Sequence, residues 1–325
     1  MRELYYSHAL REALWEEMER DERVFLLGED IGAYGGAFKV TAGFLARFGS
    51  ERVRDTPISE NTLVGVATGA ALLGMRPVVE IMFMDFITLA MDQIVNHAAK
   101  IYYMYGGQRS VPWVLRTPAG AGRAYGPTHS QSWEAWLLHT PGLKIACPAT
   151  PADAKGLLKT AIRDDNPVLF VENKLLYGTR GPVPEGEYLV PFGQARVARE
   201  GEEVTIITYS RMVREAEAAA DALAQQGLSV EVLDLRTLCP LDLEAITASA
   251  AKTGRVILVE EGPRTGGVCA ELGFQIFEQV FDYLDAPLVR LAAEDVPIPC
   301  SPTLENALLP NRHRIVQAVV RLLER

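Results

Sequence analysis

An α/β fold of two domains built on mainly parallel sheets is predicted for this 325-residue chain by three observations. Short apolar runs alternate with amphipathic stretches through the first half, the pattern of strands joined by crossover helices. A second alternation follows a polar, Pro/Gly-rich break at Glu172–Leu189. The stretch Arg52–Gly74 shows the repeating step most plainly. Arg52–Asp55 reads as a short strand, Pro57 fixes a turn, Ser59 is a candidate N-cap, and the run from Leu63 onward is helical. Gly74 then stands where a helix C-cap belongs, with Arg76-Pro77 beyond it.

The other elements follow in order. Ser7 opens a helix with Leu10, Ala13, Leu14 and Met18 on its inner face and Glu12, Glu16, Glu17 and Glu19 expected in water. Val24–Leu27 is a buried-type strand ended by Gly28-Glu29-Asp30, and Ala42–Phe48 is a helix. Val78–Met82 is a strand, and Leu89–Tyr105 is a helix with Ile94, Ala98, Ile101 and Tyr105 on one stripe. Trp113–Arg116, Leu143–Cys147 and Val168–Val171 are strands. Thr150 and Pro151 start a helix that runs to about Arg163. Glu172–Leu189 reads as a linker, giving domains at 1–175 and 196–325 joined by 176–195. The second domain has strands at Val204–Thr208, Ser229–Asp234 and Val256–Glu260, and helices at Val213–Gln225, Leu243–Thr253, Val268–Val280 and Arg312–Leu323. Arg199–Glu203 reads as a solvated turn.

Composition narrows the function classes. At 48% hydrophobic and 23% charged, the chain is an ordinary globular one. A formal net charge of -10 repels phosphate backbones and argues against nucleic-acid binding. Cys147, Cys239, Cys269 and Cys300 are far apart with no CxxC, which argues against zinc and disulfides and fits a reducing cytoplasm. The N-terminus lacks a signal-peptide apolar region, and the longest apolar stretches are too short to span a bilayer, so no membrane role is expected. GxGxxG after a strand, a Walker A loop, HExxH and GxSxG are all absent.

Ligands of open parallel sheets bind beyond the strands' carboxyl ends. Glu60 falls there, at a helix N-terminus. By itself it reads either as a surface acid complementing the helix dipole or as a shielded acid that bonds a cofactor nitrogen. Phe86, just after a strand, is core or a face for a flat heterocycle. His129 is singular among five histidines: it lies in the Gly-rich loop Pro118–Gln131, whereas His8, His97, His139 and His313 fall on predicted helices. One crevice of the first sheet is expected to gather Glu29, Ile58, Glu60, Phe86 and His129.

Several stretches together resemble a known family: Leu27-Gly28-Glu29-Asp30, Asp55–Glu60, Met91-Asp92-Gln93-Ile94, His129-Ser130-Gln131-Ser132, Pro141-Gly142-Leu143-Lys144, Asp153–Leu158 and Asp234–Leu238. They are similar to the beta subunit of the thiamine diphosphate-dependent dehydrogenase component of 2-oxo acid dehydrogenase complexes, in order over nearly the whole chain. The resemblance implies a transketolase-like fold, with a pyrimidine-binding domain and a smaller C-terminal α/β domain, in an alpha2-beta2 heterotetramer that serves a dihydrolipoyl acyltransferase core. It implies oxidative decarboxylation of a 2-oxo acid, foremost pyruvate, with acyl transfer to lipoamide. Acetoin-cleaving and branched-chain forms, and a catalytically silent scaffold subunit, are the alternatives.

The resemblance also assigns residues. Glu60 matches the acid that bonds the aminopyrimidine and favours its imino tautomer. Glu29, Ile58, Ser59, Met82 and Phe86 match its surroundings, and Phe83, Met84, Asp85 and Phe86 a substrate-facing stretch. His129 matches the histidine that handles protons in acyl transfer and faces substrate. Trp113, Ala161, Ile162, Asp164 and Asn166 match a potassium site of some relatives, formed mainly by carbonyls. The motif GDG with a downstream Asn, which anchors diphosphate and magnesium, is missing; the resemblance places it on the alpha subunit.

Overall fold

The computed structural model of the chain describes residues 1–324. They form two compact units, Met1–Ala119 with Trp136–Phe192, and Gly120–Ala135 with the chain from Gly193 onward.

The first unit contains β1 (Arg2–Tyr5), α1 (Tyr6–Arg20), β2 (Val24–Gly28), α2 (Phe44–Phe48), β3 (Val53–Asp55), α3 (Glu60–Leu72) and β4 (Arg76–Glu80). A 3-10 turn (Met84–Ala90), a π-helical turn (Gln93–Ala98) and α4 (Ala99–Met104) follow, then β5 (Val114–Ala119), α5 (Glu134–Leu138, whose first two residues group with the second unit), β6 (Lys144–Ala146), α6 (Pro151–Arg163), β7 (Val168–Asn173) and β8 (Arg180–Val183). Within this unit the strand order is β6-β7-β5-β4-β2-β3. Every pairing among these six is parallel. Strands β2, β5 and β7 are buried along their whole length, as parallel strands covered on both faces must be. Tyr6, Leu10 and Leu14 of α1, Leu157 and Leu158 of α6, and Leu26, Val78 and Phe170 of the sheet share one core cluster.

Helix α6 starts as expected: Thr150 Oγ1 accepts the Asp153 N–H at 3.1 Å and Pro151 takes the first position. Helix α3 ends in a left-handed Gly74 (φ 95°), with the Met75 N–H reaching back to the Ala70 carbonyl at 3.1 Å.

Four expectations change. Glu17 of α1 is buried, not solvated, because Arg163 Nη2 of α6 donates to it at 2.6 Å and Arg20 Nε at 2.7 Å. Beside it Glu16 accepts from Lys155 at 2.6 Å and Lys159 at 2.7 Å, so the α1–α6 contact is an ion-pair zipper over an apolar floor. The single helix expected at Leu89–Tyr105 is three pieces. Its last stops at Met104 ahead of left-handed Gly106 and Gly107, which turns Tyr105 out to 56% exposure. Within the stretch expected as a linker, β7 continues through Glu172 and Asn173, and β8 pairs antiparallel with β1.

The second unit contains β9 (Arg196–Arg199), β10 (Val204–Thr208), α7 (Met212–Ala224), β11 (Val230–Asp234), β12 (Thr237–Cys239), α8 (Leu243–Thr253), β13 (Val256–Pro263), α9 (Val268–Val280), a 3-10 turn (Phe281–Tyr283), β14 (Val289–Ala293), α10 (Pro302–Leu308) and α11 (Arg312–Leu323). Its sheet runs β14-β13-β10-β11-β9. All pairs are parallel except the edge strand β9, which runs antiparallel to β11. The fourth correction lies here: Arg199, expected in a solvated turn, ends β9, whose Arg-Val-Ala-Arg sequence is the polar pattern of an edge strand.

Candidate functional site

The sheet order brings three sequence-distant segments side by side. β2 pairs with β3 and with β4, and Gly28 lies level with Asp55 on one side and Glu80 on the other. The residues just after these positions therefore emerge from adjacent strand ends, the crevice where open parallel sheets bind ligands. They are Glu29 after β2, the Thr56–Glu60 turn after β3, and Met82–Phe86 after β4.

Glu60 is the first residue of α3 and is 6% exposed, which favours the shielded acid over the surface acid. Ser59 occupies the N-cap position, yet its side chain makes no capping bond. Its backbone N–H instead donates to the Glu29 carboxylate. Burial and the neighbouring Glu60 charge hold the Glu29 carboxyl above its ordinary range, against that amide. Two acids from adjacent strand ends thus face each other electrostatically. Ile58 is 81% exposed, while Met82, Phe83 and Phe86 are half-buried. Phe86 meets Phe83 edge-on at 6.0 Å, Phe83 meets Phe38 at 6.3 Å, and Phe38 stacks on Tyr177 at 4.5 Å. Thr56 Oγ1, in the turn before Glu60, is a buried oxygen without a hydrogen-bond partner.

Of the expected substrate-facing stretch, Phe83 and Phe86 keep exposed area; Met84 and Asp85 are buried where the 3-10 turn tucks them inward.

Sequence reasoning missed a buried charged cluster that crosses β4, β5 and β7. Arg116 donates through Nη1 to Glu80 at 2.6 Å, and through Nε and Nη2 to Glu172 at 2.7 and 2.9 Å. Tyr177 donates its hydroxyl to Glu172 at 2.6 Å. Burial works against the guanidinium charge, and Glu172 and Glu80 more than offset it. The available signal was a charge inside each of three apolar runs, Val78-Val79-Glu80-Ile81, Val114-Leu115-Arg116 and Phe170-Val171-Glu172, since a buried charge requires a partner.

His129 is not part of the first unit. It lies on the 120–135 segment that groups with the second unit. The physical reason is a set of amide bonds: the Ala121 N–H donates to Glu261 Oε1 at 2.6 Å, and the Gly122 and Ala124 N–H groups donate to the two oxygens of Glu305 at 2.8 and 2.9 Å. Thr128 Oγ1 is 3.0 Å from His129 Nδ1. Ser130 Oγ beside it is a buried oxygen without a hydrogen-bond partner. Of the other histidines, His139 follows α5 in a turn; His8, His97 and His313 are helical.

The carbonyls matched to a potassium site already accept bonds. Trp113 O accepts from the Val168 N–H at 3.0 Å, and Ala161 O from the Asp164 N–H at 3.2 Å. Ile162 O and Asp164 O accept from Arg76 Nη1 at 3.1 and 2.9 Å. The Asp164 carboxylate pairs with Lys144 and accepts the Asn166 N–H at 2.8 Å. A potassium ion here would use the carbonyls' second lone pairs and sit beside the Arg76 charge.

Residues 2–180 match the family model of the transketolase pyrimidine-binding domain, and residues 193–315 that of the transketolase C-terminal domain. The beta subunit of the pyruvate dehydrogenase E1 component of Porphyra purpurea is 49% identical over 319 residues, 98% of this chain and 96% of that protein. The beta subunit of Bacillus subtilis 2-oxoisovalerate dehydrogenase is 48% identical over 321 residues, 98% of each chain. This chain belongs to the E1 beta-subunit family of 2-oxo acid dehydrogenases. Its fold is transketolase-like: a split-gene transketolase structure covers 99% of both chains with a TM-score of 0.81 at 24% identity. Among the described residues no helix is long and apolar enough to cross a membrane.

Proposed function

We propose that the chain is the beta subunit of a thiamine diphosphate-dependent pyruvate dehydrogenase, supplying the pyrimidine side of the cofactor site and handing an acyl group to lipoamide on an acyltransferase core. The observation that supports it most is the buried Glu60 at the head of α3, with Glu29 held close by at the adjacent strand end. A carboxyl shielded from water bonds a ring nitrogen strongly, because nothing competes for the bond. Glu60 would therefore bond the aminopyrimidine, and Glu29, whose affinity for protons is raised by burial and by the Glu60 charge, lies beside it. The Ser59 backbone N–H keeps Glu29 in place. Ile58, Met82 and Phe86 offer apolar surface to a flat ring, Phe83 and Phe86 face the substrate, and the unpartnered Thr56 hydroxyl suits a polar ligand. When bound, the cofactor supplies the carbon nucleophile and the electron sink for decarboxylation. His129, oriented by Thr128, moves a proton in acyl transfer. Potassium at the Trp113, Ala161, Ile162, Asp164 and Asn166 group belongs to this reading through the resemblance alone.

The diphosphate and magnesium are held mainly by an alpha subunit in an alpha2-beta2 tetramer. Support for a partner comes from the exposed apolar side chains Val66, Leu72, Leu73, Leu89, Tyr102, Tyr103 and Met104 on the first unit. A reducing cytoplasm belongs to this reading on the wide spacing of the four cysteines in the sequence. Glu60→Gln in the reconstituted enzyme is expected to lower 2-oxo acid-dependent dye reduction at least about 100-fold; an unchanged rate removes the mechanism. The Bacillus relative supports a second reading, a branched 2-oxo acid as substrate. Turnover of pyruvate, 2-oxoisovalerate and acetoin in one assay separates these readings.

A further inference from the structure

Within the second unit, the segment that carries His129 is closed on itself: the Gly120 N–H donates to the Gln131 carbonyl at 3.2 Å, and the His129 N–H to the Gly126 carbonyl at 3.3 Å. The segment has little regular structure of its own, so its shape depends on what it is fastened to. The fastening is unusual. Gly122 (φ 96°) and Ala124 (φ 57°) both adopt left-handed backbone conformations, and for Ala124 that conformation is strained. Together they turn two N–H groups toward one point, the kind of concavity that elsewhere binds an anion. Here the anion is the chain's own. The Glu305 carboxylate, on α10 and 1% exposed, accepts the Gly122 N–H on Oε1 and the Ala124 N–H on Oε2. An apolar patch backs it, Ala121 packing with Ala293, Ile298 and Leu309. The contact continues at Gly126, where a Cβ would lie 2.6 Å from Cys300 Sγ.

We infer that Glu305 is a positioning residue for acyl transfer: its carboxylate dictates the left-handed turn at 122–124 and through it the place of His129, five residues on. A strained turn persists only where its surroundings over-determine it. Without the carboxylate, the two amides lose their acceptor, Ala124 relaxes toward negative φ, and the histidine moves with the loop. Glu305 touches no reacting group in this scheme. The inference rests on the reading of His129 as the acyl-transfer histidine.

The test splits the overall reaction in the reconstituted enzyme. Dye reduction with a 2-oxo acid reports decarboxylation, and acylation of a lipoylated acyltransferase domain reports the transfer. Glu305→Ala is expected to lower the acylation kcat tenfold or more, since displacements near 1 Å can cost about 100-fold, while dye reduction stays within twofold. Glu305→Gln, nearly the same shape and keeping one acceptor oxygen, is expected to fall between wild type and Glu305→Ala; it also carries the test if the alanine variant does not fold. Both rates falling in parallel would mean a structural role only and overturns the inference, as does an unchanged acylation rate. His129→Ala, run alongside, isolates the underlying reading. If it leaves acylation intact, the histidine assignment fails. If it slows acylation while both Glu305 variants do not, the loop inference alone fails.

Discussion

Glu29, Glu60, Glu134, Glu260 and Glu305 share one side chain and behave differently because of their neighbours. Glu29 is pushed up by burial and by Glu60; Glu305 is satisfied by two amides. Glu134, at the start of α5, is buried and raised to about 8, with the Glu261 and Glu260 charges adding to the effect. Glu260 is raised by burial to about 7, against the Cys269 and Val268 amides that bond it. An acid with a folded pKa above its unfolded one holds its proton more firmly in the native state. Its stabilising contribution is complete below the unfolded value of 4.5 and is lost as pH rises through the folded value of about 8. The melting temperature is therefore expected to fall between about pH 5 and pH 8. Glu134→Gln, which has no proton to lose, is expected to flatten that fall and to be more stable than wild type near pH 8; parallel curves for the two proteins would contradict it.

At the scale of elements, β4, β5 and β7 are tied together by charge as well as by apolar packing. Arg116 serves Glu80 and Glu172 at once, and Tyr177 closes the cluster beneath the aromatic row Phe38, Phe83 and Phe86. Arg116→Leu leaves two buried carboxylates without their cation. Breaking a buried pair in this way costs about 3–5 kcal/mol, to be read as a lower urea midpoint at unchanged slope. A loss below about 1 kcal/mol, the level of an exposed ion pair, would show that the cluster is not the tie described. Helix α3 makes a related point. Its N-cap serine was legible by type and position, but the group that acts is the Ser59 amide, and it acts on Glu29. A backbone donor leaves no mark on residue identity.

For the molecule as a whole, the lack of a diphosphate anchor in the chain and the exposed apolar side chains of the first unit support the same proposal, that the site is shared with another subunit. The isolated chain is expected to bind thiamine diphosphate at least about 100-fold more weakly than the alpha–beta assembly with magnesium, a gap of about 2.7 kcal/mol or more. Calorimetry on both samples measures it, and equal affinities would contradict the shared site. The net charge of -10 remains an argument against nucleic acid as a partner.

By itself the sequence determined the alternation of strands and helices, the Thr150 cap, the Gly74 stop and the placing of Glu60 where a strand gives way to a helix. Each follows from local propensity, periodicity and capping, which act within a few residues. Only the tertiary structure decided that β2 lies between β3 and β4, so that Glu29 and Glu60 become neighbours, and that Arg116 joins Glu80 to Glu172. It also decided that the His129 segment is fastened by Glu261 and Glu305 in the second unit. Those outcomes depend on strand order and on pairs separated by tens to hundreds of residues. Hydrophobic pattern selects which face is buried, but it does not name the partner a buried charge or an amide will find there.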